Sequence, residues 1–212
     1  MALLAAAALA TVVLTLLPSG IPRTQRASLV LAYISLAALL ATLAIGPLRV
    51  IRGRANPVSN DLRRDLGILA GISGLAHVVF AFQHHLGGVV ARYFFSSNRL
   101  APSNLRRDSF GVANDIGLLA ALLLVLLMAI SNDWSLRRLG RNWKRVQRMA
   151  YALAVLTVAH TALFWVVTHR RPPVVLLAAL AVGSVTALQL VGFARHPGRL
   201  RREQAPRTAG SD

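Results

Sequence analysis

Long runs of apolar residues constrain this 212-residue chain more than any other feature. Six runs can be drawn, each close to the ~20 residues with which an α-helix crosses the hydrocarbon core of a bilayer. They cover residues 2–17, 28–46, 66–83, 111–130, 149–167 and 174–193. Pro47 stands at the end of the second run and is expected to end that helix. The pattern predicts an all-α, polytopic membrane protein, a helical bundle with six transmembrane helices.

Composition excludes several classes of function. The chain has no cysteine, so disulfides, iron–sulfur clusters and thiolate zinc sites are excluded. Its formal net charge of +17 would suggest nucleic acid as the partner of a soluble protein. Here the bases stand in short segments between apolar runs, so we expect anionic lipid as their partner and no nucleic acid.

The positions of the basic residues predict the orientation. Of the 24 Lys and Arg residues, 16 fall on one side of the predicted bundle, in residues 49–64, 137–148 and 195–212. The other 8 fall on the opposite side. The richer side is expected to be cytoplasmic, which places both termini there, in a bacterial inner (plasma) membrane. The first run could instead be a cleaved signal peptide, but no Lys or Arg precedes it. The basic tail, 195–212, is predicted to be disordered.

Two histidines lie inside predicted spans at the same depth. His77 and His160 each stand 11 residues after the first residue of their run, at 66 and 149. Both spans start on the cytoplasmic side, so both imidazoles lie ~16 Å from that edge. Ionisable groups inside a membrane are costly and usually functional. Two parallel helices with level histidines could bind one metal centre between them.

The residues around this pair favour a flat cofactor over a bare ion. Small residues, Ala70, Ser73, Gly74 and Ala81, share the helix face of His77. They could accept a planar macrocycle, or they could let another helix approach closely. A bare ion would need three or four ligands, whereas haem needs two axial histidines. The pair therefore predicts one haem b, with interhelical hydrogen bonding as the alternative.

Three further histidines are weaker candidates for haem ligands. The first two, His84 and His85, directly follow the third run, and His169 follows the fifth beside two arginines. We expect all three at the membrane interface, where polar side chains are tolerated. A second haem between them is disfavoured, because His169 stands nine residues after His160 and therefore faces the opposite side of its helix.

Polar residues also precede and begin the fourth run. Five of them could border the outer exit of the bundle: Arg106, Arg107 and Asp108 before the run, and Asn114 and Asp115 near its start. Their roles could be pairing with haem propionates, proton handling or docking of a ferric chelate. An ordinary polar helix start is the alternative, since the helix dipole favours Asp there.

Two stretches resemble a known family. "SNDLRRDLGILAGISGLAHVVFAFQHH" (59–85) and "SNDWSLRRLGRNWKRVQRMAYALAVLTVAHTALFW" (131–165) are similar to the ferric reductase-like transmembrane domain family. That family includes the haem-binding membrane subunit of the methionine sulfoxide reductase system and the membrane part of NADPH oxidases. The resemblance implies a haem b electron carrier with ligands His77 and His160. It divides the chain into four parts: a first helix and outer loop (1–27), the family domain (28–167), a last helix (168–194) and the tail (195–212).

The resemblance has one departure and leaves the partners open. Many relatives have a histidine 13 residues before the one matching His160, where this chain has Gln147, so we expect no second haem on the cytoplasmic side. No Gly-x-Gly-x-x-Gly motif for a nucleotide follows the spans, so electrons should come from a quinol or a separate flavoprotein. The acceptor could be a ferric chelate, a partner reductase or a methionine sulfoxide reductase-type enzyme. A non-redox structural or partner subunit and a transporter are the competing functions.

Overall fold

The chain folds as a set of α-helices in the computed structural model, which describes residues 2–17, 20–52, 60–96, 105–168 and 172–195. The described residues form nine helices, and the all-α prediction is confirmed. They are α1 (Ala2–Leu16), α2 (Arg23–Ile51), α3 (Asn60–Leu86), α4 (Ala91–Phe94), α5 (Ser109–Ala129), α6 (Asp133–Leu139), α7 (Arg141–Gln147), α8 (Met149–Thr168) and α9 (Pro172–Ala194).

Four long helices enclose the interior of the molecule. α2 packs along α3 and α5 packs along α8, while α3 also contacts α5 and α2 contacts α8. Their shared core includes Leu39 and Leu43 of α2, Ala70 of α3, Leu127 of α5 and Leu153 of α8. α1 and α9 both pack against α2. We call the end of this bundle that carries α4 the α4 end, and the opposite end, with α6 and α7, the α6 end.

Four segments are long and apolar enough to cross a membrane among the described residues. They are Arg23–Ile51, Leu62–Leu86, Ser109–Ala129 and Arg141–Val166. The stretches Ala6–Leu16 of α1 and Ala178–Ala194 of α9 are apolar but shorter. Six spans and cytoplasmic termini therefore stay predictions.

Pro47 does not end α2, so that expectation was wrong. Proline lacks the N–H that would bond to the carbonyl four residues earlier, here that of Leu43. That carbonyl accepts a hydrogen bond from Gln189 Nε2 of α9 instead, at 2.7 Å. The lost bond is thus replaced by a neighbouring helix, as membrane proteins often do. The helix continues one further turn to Ile51.

The turn after α3 carries the chain back across the α4 end. Gly87 and Gly88 both have positive φ, at 61° and 73°, a conformation that glycine adopts without steric cost. α3 itself continues to Leu86, so His84 and His85 lie in its last turn. Asp108 then caps α5, because its Oδ1 accepts the Gly111 N–H at 2.8 Å. This connection places α4 over the end of the bundle.

Candidate cofactor site

His77 and His160 meet inside the bundle. Their ring centroids are 6.4 Å apart and the ring planes are inclined by 72°. His77 projects from α3 and His160 from α8, and both line one cavity between the four long helices. Both side chains are half-buried. The structure therefore brings together the two histidines that the sequence singled out.

Each imidazole is hydrogen bonded to the backbone of a neighbouring helix. His77 Nδ1 lies 2.8 Å from the Ser28 carbonyl oxygen of α2, with Ser28 Oγ at 3.0 Å. His160 Nδ1 lies 2.7 Å from the Ala113 carbonyl oxygen of α5. A carbonyl oxygen only accepts, so each Nδ1 carries the proton and each Nε2 keeps a free lone pair. Neither Nε2 has a hydrogen-bond partner among the described residues. This is the usual tautomer of a histidine that binds a metal through Nε2.

A glycine makes room for one of these bonds. The Ala113 carbonyl points along α5 toward Gly117, four residues later, as helix geometry requires. A Cβ on Gly117 would lie 2.6 Å from Nδ1 and from Cε1 of His160. Ala113 is fully buried and small, which lets α8 approach α5. Three residues of this site were not predicted from the sequence: Ser28, Ala113 and Gly117. Only Gly117 had a signal in the sequence, because it stands four residues after Ala113 on the same face of the helix.

The cavity has a volume of about 210 Å³ and a mostly apolar wall. Of the four small residues predicted around His77, Ala70, Gly74 and Ala81 line it. Ser73 does not, because its hydroxyl donates to the Leu69 carbonyl of its own helix at 2.6 Å. Gly74 also serves helix packing, since a Cβ there would lie 2.7 Å from Leu124 and 2.8 Å from Ser35 Oγ. Gly74 therefore allows the close approach of another helix, while a planar cofactor against this face stays a prediction.

The other candidate histidines have different surroundings. His85 lines the cavity at the α4 end, where its ring packs against Phe110 and Phe164 with centroids 5.7 Å and 5.5 Å away. His84 contacts the ring of His85 but does not line the cavity. His169 lies outside the described residues. Phe164 also packs on His160, at 4.9 Å, so the rings of His85 and His160 are joined through one phenylalanine.

Polar residues of the fourth predicted span lie at the α4 end. Asn114 lines the cavity, and Asp115 accepts a hydrogen bond of 3.0 Å from the hydroxyl of Tyr93 in α4. Partial burial, this bond and the charge of Asp115 raise the pKa of Tyr93 to about 12. Arg106 pairs with Asp108 at 3.3 Å and lies over the ring of Phe110. These contacts attach α4 and the segment before α5 to the end of the bundle. Arg107 is exposed there.

At the opposite end, Gln147 lies away from the cavity. Its Nε2 donates to Ser131 Oγ at 3.3 Å, and Trp143 Nε1 donates to the Ile130 carbonyl at 3.0 Å. Within the described ranges, no group of three or more His, Asp or Glu side chains could hold a metal ion. The histidine pair is thus suited to a metal that brings most of its own ligands.

The spacing of the pair fits a metal held between two imidazoles. A bond from an imidazole nitrogen to a metal is about 2 Å long. Two such bonds, together with the distance from each bonding nitrogen to the centre of its own ring, span roughly 6 Å. The observed 6.4 Å agrees with this span. The site has two histidines, each held in one tautomer, with small residues on one wall and an aromatic residue on another. This arrangement fits a planar macrocycle.

Comparison with known proteins gives the family. Residues 27–159 match the family described as ferric reductase like transmembrane component, a segment that contains His77 and ends one residue before His160. Similar curated proteins carry the name protein-methionine-sulfoxide reductase heme-binding subunit MsrQ. The one from Bordetella pertussis is 31% identical over 157 residues, which are 74% of this chain and 67% of the relative.

For two other relatives with that name, the matched segment covers a smaller share of the relative's length. The Xanthomonas oryzae pv. oryzae protein is 35% identical over 146 residues, 68% of this chain and 60% of the relative. The Rhizobium meliloti protein is 33% identical over 127 residues, 59% of this chain and 51% of the relative. The chain thus spans about half to two thirds of the length of these relatives. It is an integral membrane protein, and it belongs to the ferric reductase-like transmembrane component family.

Proposed function

We propose that this protein is a membrane electron carrier that binds one haem b, with His77 and His160 as the two axial ligands. The observation that carries the proposal is the pair of imidazoles 6.4 Å apart, each with Nδ1 bonded to a backbone carbonyl. The names of the relatives, which describe haem-binding subunits, support it.

The chain's own residues fix the geometry of such a site. Ser28 and Ala113 hold the imidazoles in one tautomer and one orientation, which makes Nε2 the ligating atom and raises its basicity. A bound haem b would supply a one-electron iron couple. Histidine at both axial positions leaves no open position for a substrate, so we infer electron transfer rather than chemistry on a bound molecule.

The partners follow from the surface and from the relatives. We propose that the α6 end faces the cytoplasm of a bacterium, because its loops carry most of the basic residues, which also bind anionic lipid. Electrons would come from a quinol or a separate flavoprotein. They would leave at the α4 end to a methionine sulfoxide reductase-type enzyme, as the relatives' names suggest, or to a ferric chelate. Six spans with cytoplasmic termini belong to the same proposal.

A spectrum of the purified protein tests the function. A dithionite-reduced minus oxidised difference spectrum should show a b-type α band, with one haem per chain by pyridine haemochrome. The variants His77→Ala and His160→Ala should lose the haem. The variants His84→Ala, His85→Ala and His169→Ala should keep it.

Two results would contradict the proposal. A purified wild-type protein without haem would instead favour a non-redox partner subunit. Normal haem content in His160→Ala would show that the ligand pair is wrong. His84→Ala is the matched control, since it removes a histidine from the same helix that does not line the cavity.

A further inference from the structure

Two side-chain amides line the cavity without a hydrogen bond to any described residue. They are those of Gln25 in α2 and Asn114 in α5. The Nδ2 atom of Asn114 is fully buried and has no acceptor in the part of the chain that the structure describes. A buried donor without a partner destabilises a protein, and native proteins rarely keep one without a reason.

Both amides stand next to the residues that hold the histidines. Gln25 lies three residues before Ser28, about one helix turn and ~4.5 Å closer to the α4 end. Asn114 directly follows Ala113. Each histidine is therefore accompanied by one uncommitted amide on the helix that accepts its hydrogen bond.

The same end of the bundle has two further buried donors without a partner among the described residues. They are the Nε atoms of Arg26 and Arg106. The nearby carboxylates are already engaged, that of Asp115 by Tyr93 and that of Asp108 by Gly111 and Arg106. Arg26 and Arg106 do not line the cavity, so an occupant that presents oxygen acceptors toward this end would satisfy the Asn114 donor.

We propose that Gln25 and Asn114 bind the polar edge of the molecule that occupies the cavity, by donating hydrogen bonds to its carboxylate or carbonyl oxygens. They are positioning residues that turn this edge toward the α4 end. The inference rests on the proposed haem function, under which these oxygens belong to the two propionates. The carbonyl oxygens of a quinone have the same hydrogen-bonding chemistry, so the experiment separates the two sources.

The test compares haem b with its dimethyl ester, whose side chains no longer carry carboxylates. Both are titrated into haem-free full-length protein in detergent, as wild type, Asn114→Leu and Gln25→Leu. Each variant should bind haem b about tenfold more weakly than the wild type, as expected for one lost hydrogen bond to a charged group. The ester keeps carbonyl acceptors but carries no charge, so the variants should weaken its binding by a clearly smaller factor than that of haem b.

A second titration uses a soluble ubiquinol analogue as electron donor to the haem-loaded protein. If the oxygens belong to a quinone, the KM for this analogue rises about tenfold in the variants while the affinity for haem b stays unchanged. Either pattern supports the proposal and identifies the source. Equal weakening of haem b and its ester overturns it, and so does the absence of any effect on both haem b and the ubiquinol analogue.

Gln83→Leu is the matched control. Gln83 lies near the same end of the bundle on α3, but it is exposed and does not line the cavity. This variant should resemble the wild type in all three titrations. If the wild type binds no haem at all, the proposed function fails; if it binds haem and the variants behave like Gln83→Leu, the inference alone fails.

Discussion

The imidazole of His160 packs with its Nδ1–Cε1 edge against the bare backbone of Gly117. A methyl group on that glycine would be 2.6 Å from two ring atoms, well inside van der Waals contact, and the ring could not keep its bond to the Ala113 carbonyl. Position 117 therefore controls the placement of His160, which belongs to another helix. This relationship gives the first prediction.

Gly117→Ala should displace His160 and weaken haem binding. The added methyl competes with the ring for the same space, and the loss of the hydrogen bond to Ala113 removes about 0.5–1.5 kcal/mol, up to roughly tenfold in affinity. Gly117→Leu should abolish binding. Haem titration with the α band as the signal measures both effects.

Gly183→Ala in α9 is the control for this substitution. A Cβ at Gly183 meets no atom within 4 Å, so the change keeps haem affinity and improves helix propensity by about 0.5–1 kcal/mol. Wild-type haem affinity in Gly117→Ala would refute the close packing of His160 on α5.

Gly192→Ala should loosen α9 from α2. A Cβ on Gly192 would contact Cβ of Pro47 and lie 2.8 Å from its Cα, and the proline ring cannot turn away. Overpacking of this kind costs about 1–3 kcal/mol, and separation of the helices would also break the bond between Gln189 and the Leu43 carbonyl. Thermal unfolding in detergent should show a lower Tm than for Gly183→Ala, which changes the same helix in open space. Equal Tm values for the two variants would contradict this packing.

Tyr93 should make stability depend on pH in the alkaline range. Its pKa is raised from 10.0 to about 12 in the folded protein, first by partial burial and then by the hydrogen bond to Asp115. The neutral phenol thus favours the folded state fully below pH 10, and this contribution is lost as the pH rises from about 10 to 12. Unfolding curves measured across this range should show a fall in wild type that is smaller in Tyr93→Phe. The variant Tyr151→Phe, at an exposed position of α8, should keep the fall; identical profiles for wild type and Tyr93→Phe would refute the assignment.

The ion pair between Arg64 and Asp133 should contribute little to stability. Its atoms are 3.1 Å apart, but the two side chains are 45% and 67% exposed. Exposed pairs contribute about 0–1 kcal/mol because solvent screens the charges. Arg64→Gln, Asp133→Asn and the double variant should therefore differ from wild type by less than ~1 kcal/mol in a double-mutant cycle. A coupling above that value would indicate a structural role for the link between α3 and α6.

Much of the architecture could be predicted because hydropathy and charge act over whole segments. The long apolar runs predicted helices at the right places, and equal spacing from the span starts predicted that His77 and His160 would stand level. Helix ends were harder. Pro47 lies within α2, because a side chain 142 residues later in the chain replaces the hydrogen bond that proline removes.

The immediate surroundings of the histidines could not be predicted from residue types. Every residue has a backbone carbonyl, so nothing in the sequence distinguishes Ser28 or Ala113 as an acceptor. Residue type also did not predict that His85 lines the cavity through its contacts with Phe110 and Phe164, and its place at the membrane interface stays a prediction. Such contacts depend on the rotation of each helix about its axis, which composition alone does not determine.

The use of backbone carbonyls to hold His77 and His160 has an evolutionary consequence. No change of side chain at position 28 or 113 deletes the acceptor itself, so the hydrogen bonds do not constrain the identity of these side chains, although position 113 needs a small residue for the packing of α8 on α5. Selection for these bonds acts instead on the residues that give access to the carbonyl, such as Gly117. Diverged homologues should therefore preserve smallness at that place more strictly than the identity of either residue that accepts the bond.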